Sequence, residues 1–137
     1  MAKPQKPTDA ELAVLRVLWT HGPSTVREVH DAMADERTVA YTTTLKTLQV
    51  MTEKGLTLRE DSRGQHIYRP RHAEAETLGR LVTDLLDRAF GGSTSKLVVH
   101  ALASRRASPE ELREIRRLIG AQAPPGKTEK AEKKERP

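Results

Sequence analysis

The amino-acid sequence predicts a mainly α-helical protein with one small β-hairpin, an α+β fold. Three observations lead to this prediction. Two capping-box sequences precede apolar residues at helical spacing near the N-terminus, a glycine-bearing turn separates two short runs after residue 55, and apolar residues recur every three or four positions from residue 78 onwards. Aromatic residues make up only 3% of the chain, so the predicted core consists mainly of aliphatic side chains on helices.

The first two helices are each predicted to begin at a capping box, in which a threonine and a glutamate three positions later bond to each other's backbone N–H groups. Thr8 and Glu11 start the first helix, which the Gly-Pro pair at 22–23 ends, and Thr25 and Glu28 start the second. The apolar residues predicted to be buried are Leu12, Val14, Leu15, Val17, Leu18 and Trp19 in the first helix and Val26, Val29 and Met33 in the second.

The segment from Val39 to Lys54 gives conflicting signals. The β-branched residues of its first half favour a strand. Its larger apolar residues nevertheless recur at spacings of four and three, and a basic last turn followed by Gly55 is typical of a helix end. We therefore predict a third helix with an exposed, threonine-rich first half, anchored by Leu45, Leu48 and Met51.

Two short runs, residues 56–61 and 65–69, flank the turn Ser62-Arg63-Gly64. Apolar alternation around a glycine-bearing turn predicts a β-hairpin, and Pro70 ends it. Three helices followed by a hairpin is the element order of a winged helix-turn-helix.

The chain after this hairpin is predicted to be helical up to residue 120. The clearest helical period runs from Leu78 to Phe90, and glycines then separate it from a short helix at 97–102. Ser108, followed by proline and two glutamates, is typical of the start of a last helix. The predicted organisation is a flexible arm at 1–7, a winged helix-turn-helix domain at 8–71, a helical dimerisation region at 72–120 and a disordered charged tail at 121–137.

Composition limits the classes of function. The net charge of +5 modestly favours a polyanionic partner, and no export signal or long apolar run is present, so a cytoplasmic location is expected. The lack of cysteine excludes disulfides and thiolate metal sites. The five histidines form no metal-binding pair and no catalytic motif occurs, so no cofactor, metal or enzymatic activity is expected.

The third helix is the candidate for contacting DNA. Between Thr38 and Thr52 it has a single lysine and no acidic residue, which suits a surface that meets phosphates and base edges. A surface helix without a special role explains this segment alone equally well, but the preceding helix and following hairpin favour DNA. The residues predicted to contact DNA are Tyr41, Thr42, Thr43, Lys46, Thr47 and Gln49 on the helix and Arg63 and Gln65 at the hairpin tip.

Residues 72–120 are predicted to pair with a second copy of the chain. Their helices are more apolar than surface helices need to be, and helices after a winged domain have little core of their own to cover. The alternative is that they pack only on their own domain. The residues assigned to the dimer interface are Leu78, Leu81, Val82, Leu85, Leu86, Phe90, Leu97, Leu112 and Ile115.

The order and spacing of several motifs resemble the penicillinase-repressor (BlaI/MecI-type) family of transcriptional regulators. The resemblance spans about residues 8–120 and implies a homodimeric repressor that places two recognition helices in successive major grooves of a palindromic operator. The alternative, from another class, is a winged-helix protein–protein adaptor. The motifs are Asp9-Ala10-Glu11-Leu12, Val17-Leu18-Trp19, Thr25-Val26-Arg27-Glu28-Val29, Ala40-Tyr41-Thr42-Thr43, Glu53-Lys54-Gly55-Leu56, Tyr68-Arg69-Pro70, Asp87-Arg88-Ala89-Phe90-Gly91-Gly92-Ser93 and Ser108-Pro109-Glu110-Glu111-Leu112.

The resemblance also bears on release from DNA. It implies that β-lactam-responsive members are cleaved in the dimerisation region by a membrane-embedded sensor metalloprotease, at a bond that corresponds to His100–Ala101. Those members carry Asn-Phe there, so this chain departs from the pattern on both sides of the bond. Copper-responsive relatives use C-terminal cysteines, which this chain lacks, and Val50 replaces the polar or basic residue that many relatives carry.

Overall fold

A computed structural model describes residues 6–34 and 38–122 of the chain. It confirms the predicted fold class, because three helices and an antiparallel hairpin are followed by three more helices, as in a winged helix-turn-helix with a helical extension. The conflicting segment after Val39 is a helix. The elements are α1 (Asp9–His21), α2 (Val26–Met33), α3 (Tyr41–Lys54), β1 (Thr57–Ser62), β2 (Gln65–Pro70), α4 (Glu74–Ala89), α5 (Thr94–Ser104) and α6 (Pro109–Gln122).

Both predicted capping boxes are present. The Thr8 hydroxyl accepts a bond from the Glu11 backbone N–H at 3.2 Å, and the Glu11 carboxylate accepts one from the Thr8 N–H at 2.9 Å. Thr25 and Glu28 repeat the arrangement at 3.1 and 2.9 Å. Local sequence therefore fixes where α1 and α2 begin.

The threonines of α3 are compatible with a helix because several bond to the helix itself. The Thr47 and Thr52 hydroxyls each donate to the carbonyl four residues earlier, at 2.9 Å, and Thr44 is buried. Gly55 ends the helix with φ +83°, a left-handed conformation that glycine adopts without a steric penalty.

One hydrophobic core joins α1, α2, α3 and the hairpin. Ser24 and Tyr68 exchange backbone hydrogen bonds at 2.8 and 2.9 Å, which attach β2 to the turn between α1 and α2. The Tyr68 ring is thereby buried in the core. The buried apolar side chains are Val14, Leu15, Leu18, Val26, Val29, Met33, Leu48, Met51, Leu56 and Tyr68.

The hairpin turns through two residues. Arg63 and Gly64 have φ angles of +51° and +75°, and Ser62 pairs with Gln65, so Ser62 belongs to β1 rather than to the turn. Positive φ at both central residues matches the right-handed twist of the strands.

The residue contacts divide the chain into two compact units, one through Leu85 and one from Leu86. None of the residues of α4, α5 and α6 is buried. No helix in the part of the chain that the structure describes is long and apolar enough to cross a membrane.

The predicted ends of the chain need one correction. α6 continues through Ala121 and Gln122, which the sequence assigned to the tail, because helix-compatible residues precede the first proline at 124. The rest of that tail and residues 1–5 of the predicted arm lie outside the described residues. Lys6 of the arm forms an ion pair of 3.2 Å with Asp84 on α4.

Candidate nucleic-acid interface

The outer face of α3 is polar. Thr42, Lys46 and Gln49 follow one another at helical spacing and are exposed, as is Thr43. Thr47 and Val50 are half-buried. The structure thus places most of the predicted DNA-contacting side chains of α3 together on one solvent-facing surface.

The inner face of α3 attaches this surface to the core. Leu48 and Met51 are fully buried, and Leu45 is half-buried against the same core, in agreement with their predicted anchoring role. Thr44 is also buried, and its hydroxyl oxygen lies 3.3 Å from Nδ1 of His30 on α2. The polar face is therefore held by a rigid helix rather than by a loop.

An ion pair that the sequence prediction missed fixes the C-terminal end of α3. Lys54 Nζ lies 2.8 and 2.9 Å from the two carboxylate oxygens of Glu11, whose side chain is 7% exposed against 20% for Lys54. Burial raises the pKa of Glu11, but hydrogen bonds from Lys54 and Thr8 and the lysine charge outweigh it and hold the pKa below its ordinary value. Glu11 therefore serves both the α1 capping box and the α1–α3 contact.

The N-terminal end of α3 carries no negative charge. Ala40 occupies the cap position without a side-chain hydrogen bond, and the first turn has no acidic residue. The first turn of α3 therefore has no carboxylate of its own to neutralise its partial positive charge.

Tyr41 sits at this end of α3 between two side chains of α2. The Arg27 guanidinium lies 4.5 Å from the centre of the Tyr41 ring, and the His30 ring meets it edge-on at 5.7 Å. Tyr41 is half-buried, whereas Thr42 and Thr43, the predicted DNA contacts next to it, are exposed. Arg27 was not among the predicted DNA contacts.

Most charges on the hairpin strands are paired with one another. Arg69 bonds to Glu60 at 3.0 Å, and His66 Nδ1 lies 2.6 Å from Asp61. At the tip, Arg63 and Gln65 are exposed, and Arg63 forms no ion pair with any of the described residues. The tip thus presents one unneutralised guanidinium.

Comparison with known proteins identifies the family. A family profile described as penicillinase repressor matches residues 7–121. The chain belongs to the penicillinase repressor family. The resemblance found in the sequence is thus confirmed, as is the prediction of a regulator rather than an enzyme.

Individual members of the penicillinase repressor family are similar over most of the chain. The transcriptional regulator BlaI of Mycobacterium tuberculosis is 36% identical over 121 residues, covering 87% of this chain and 86% of that protein. The penicillinase repressor of Bacillus licheniformis is 24% identical over 119 residues, covering 87% of this chain and 93% of that protein. The solution structure of monomeric Bacillus licheniformis BlaI in complex with the blaP half-operator aligns with a TM-score of 0.49 and 26% identity, covering 56% of this chain and 93% of that one.

The residues that the apolar helical period assigns to dimerisation include an exposed stripe on α4. Leu78, Val82 and Leu85 lie at helical spacing and are 40%, 43% and 47% exposed. The described residues leave the apolar surface of these three side chains partly exposed. The other assigned residues are half-buried: Leu81, Leu86, Phe90, Leu97, Leu112 and Ile115.

The His100–Ala101 bond, which the sequence resemblance predicts to correspond to the cleaved bond of β-lactam-responsive relatives, lies in the middle of α5. His100 and Ala101 are both exposed, and the His100 ring lies 5.7 Å from that of Phe90. No cluster of side chains that could hold a metal ion occurs among the described residues.

Proposed function

We propose that the protein is a transcriptional repressor that binds a palindromic operator in duplex DNA as a homodimer. The exposed polar face of α3 carries this proposal, because it combines Thr42, Thr43, Lys46 and Gln49 on a rigid helix with no acidic residue between positions 38 and 52. Family membership supports the same function, since the relatives are named as repressors or transcriptional regulators.

Each element has a distinct role in this proposal. The exposed residues of α3, with Thr47, face the major groove, where hydroxyl, amide and ammonium groups can reach base edges and phosphates. Arg63 and Gln65 on the hairpin contact the backbone beside the groove. The exposed stripe of α4 pairs with a second copy, so that two copies of α3 face one side of the duplex.

The test is selection of a duplex from a random pool by the purified full-length chain. The selected sites should be palindromic, with half-sites spaced by about 34–36 Å or a multiple of it. The selected duplex should be bound at least about 10³ times more tightly than a random duplex of the same length. Equal affinity for both duplexes across a salt series would contradict the proposal.

The roles within α3 can be separated by two substitutions. Lys46→Ala should weaken binding to every duplex and reduce the salt dependence of the affinity by about one ion per chain, because the ammonium group contacts phosphate. Thr43→Ala should instead change the preferred bases. Lys96→Ala, which removes the same charge from an exposed position on α5, serves as the control. Unaltered binding by both α3 variants, with the fold intact, would exclude α3 as the reading element.

We further propose that a β-lactam sensor metalloprotease of the usual specificity does not release this protein. A pocket fitted to an aromatic residue loses apolar contact when it meets Ala101, which slows cleavage by about tenfold or more. A cognate membrane-embedded protease would need a different pocket. The bond must also open locally, because it lies inside α5.

Incubation with the activated protease domain of such a sensor, followed by fragment sequencing, tests this prediction. The matched control is the double variant His100→Asn, Ala101→Phe, which restores the family's pair at the same helical position. The control should be cut and the natural chain should not. Efficient cutting of the natural chain at His100–Ala101 would show the prediction to be wrong.

A further inference from the structure

Arg27 is an exposed cation that contacts the ring of Tyr41 and has no carboxylate partner among the described residues. Its guanidinium carbon lies 4.5 Å from the ring centre. Asp31 lies one helical turn further along α2, yet Arg27 forms no ion pair or hydrogen bond within residues 6–34 and 38–122. By contrast, Arg59, Arg69 and Arg80 each have a carboxylate within reach.

The contact with Tyr41 restricts the guanidinium without using its hydrogen-bonding capacity. A guanidinium binds an aromatic ring through its face, and its N–H donors lie in its plane and point outwards. A side chain ordered in this way has less conformational freedom to lose when it binds a ligand. Planar, paired N–H donors fit the oxygens of a phosphate.

The position of Arg27 in the fold points to one kind of ligand. In helix-turn-helix domains the first helix of the motif crosses the DNA backbone while the second enters the major groove. Arg27 lies in the first turn of α2 and reaches the first residue of α3, so it stands where these two helices approach each other. The exposed face of α3 begins directly beside it, at Thr42.

We propose that Arg27 contacts a backbone phosphate of the bound duplex and that Tyr41 positions its guanidinium for that contact. The proposal rests on the proposed DNA-binding function and adds a residue to it. It also assigns Tyr41, which the sequence predicted as a direct DNA contact, a positioning role that acts through Arg27.

The experiment measures the affinity of full-length variants for the duplex selected by the wild type and for a random duplex of the same length, each over a salt series. Arg27→Ala should weaken binding to both duplexes by about tenfold at low salt and lower the salt slope by about one per chain. Arg27→Lys should keep the slope but lose part of the affinity, because an ammonium group lacks the planar donors. Arg16→Ala removes the same charge from an exposed position on α1 and should change neither quantity.

A second set of variants tests the role of Tyr41. Tyr41→Leu removes the ring and should weaken binding to both duplexes, but it should have no further effect when Arg27 is already alanine. Tyr41→Phe keeps the ring and should bind like the wild type. Thermal unfolding of each variant verifies that the fold is retained. Arg27→Ala should leave the unfolding temperature unchanged, because the Arg27 side chain is exposed.

The outcomes separate this proposal from the function on which it rests. If the wild type shows no preference for any duplex, the proposed function fails. If the wild type is selective and Arg27→Ala keeps its affinity and salt slope, the phosphate contact is wrong while the function stands. An equal loss of affinity in Arg16→Ala would show that the effect comes from the net charge of the protein and not from a contact of Arg27. Additive losses of affinity in the Arg27 and Tyr41 variants would overturn the positioning role of Tyr41.

Discussion

Replacing Glu11 with alanine is expected to lower the free energy of unfolding by about 2–4 kcal/mol. The change leaves the ammonium group of Lys54 without its carboxylate partner in a largely buried position, and it also removes one half of the α1 capping box. This loss of stability is smaller than the full cost of breaking a buried ion pair, because the Lys54 side chain is 20% exposed.

The control for this prediction is Glu28→Ala. Glu28 closes an equivalent capping box on α2 but is exposed and has no lysine partner among the described residues, so its replacement should lower the free energy of unfolding by only about 1 kcal/mol. Urea unfolding followed by circular dichroism measures the free energy of unfolding of both variants. Similar losses in the two variants would mean that the Glu11–Lys54 pair contributes little. Replacing both partners, as Glu11→Leu with Lys54→Met, should recover part of the loss.

The same pair makes stability depend on pH. Because the pKa of Glu11 is lowered in the folded chain, its carboxylate stabilises the fold above the ordinary pKa of 4.5, and this contribution is lost as the pH falls through the lowered value. The stability difference between the wild type and Glu11→Gln should therefore narrow at acidic pH. A difference that stays constant from neutral pH into this range would exclude the mechanism.

Replacing Leu85 with aspartate is expected to convert the protein into a monomer and to weaken operator binding by about 100-fold or more. Leu85 is the most exposed of the three apolar residues in the α4 stripe that the proposed dimer would bury, and an unpaired carboxylate there would lose its hydration. A monomer binds one half-site at a time and loses the advantage of two linked contacts.

Sedimentation and duplex titration measure the two effects of Leu85→Asp. Thr83→Asp adds the same charge to an exposed position of α4 outside the apolar stripe and should remain dimeric. An unchanged dimer in Leu85→Asp, or a monomeric wild type, would refute the interface.

The features that the sequence predicted correctly depend on residues close together in the chain. The capping boxes, the glycine end of α3 and the position of the hairpin each depend on a few consecutive residues, although Ser62 proved to belong to β1 and not to the turn. The helical state of α3 was harder to predict, because threonines generally favour a strand. In the folded chain the Thr47 and Thr52 hydroxyls bond within the helix and Thr44 is buried, and neither fact is visible in the sequence. Spacing of the larger apolar residues was the stronger signal.

The features that could not be predicted depend on pairs of residues far apart in the chain. Glu11 was correctly identified as a capping residue, but nothing in its surroundings indicated that Lys54, 43 positions later, would bind the same carboxylate. Arg27 looked like an ordinary surface residue of α2, since only the packing of α2 on α3 brings it to Tyr41. Such contacts follow from tertiary structure, which single-sequence periodicity does not encode.

The junction between the winged domain and α4 has a built-in optical reporter. The indole N–H of Trp19 on α1 donates a hydrogen bond of 3.2 Å to the carbonyl of His72, just before α4 begins. Trp19 is the single tryptophan of the chain, so all indole fluorescence arises at this one hydrogen bond. Its emission wavelength and quenching can therefore follow movement of the start of α4 against α1 during DNA binding, without an added dye or label.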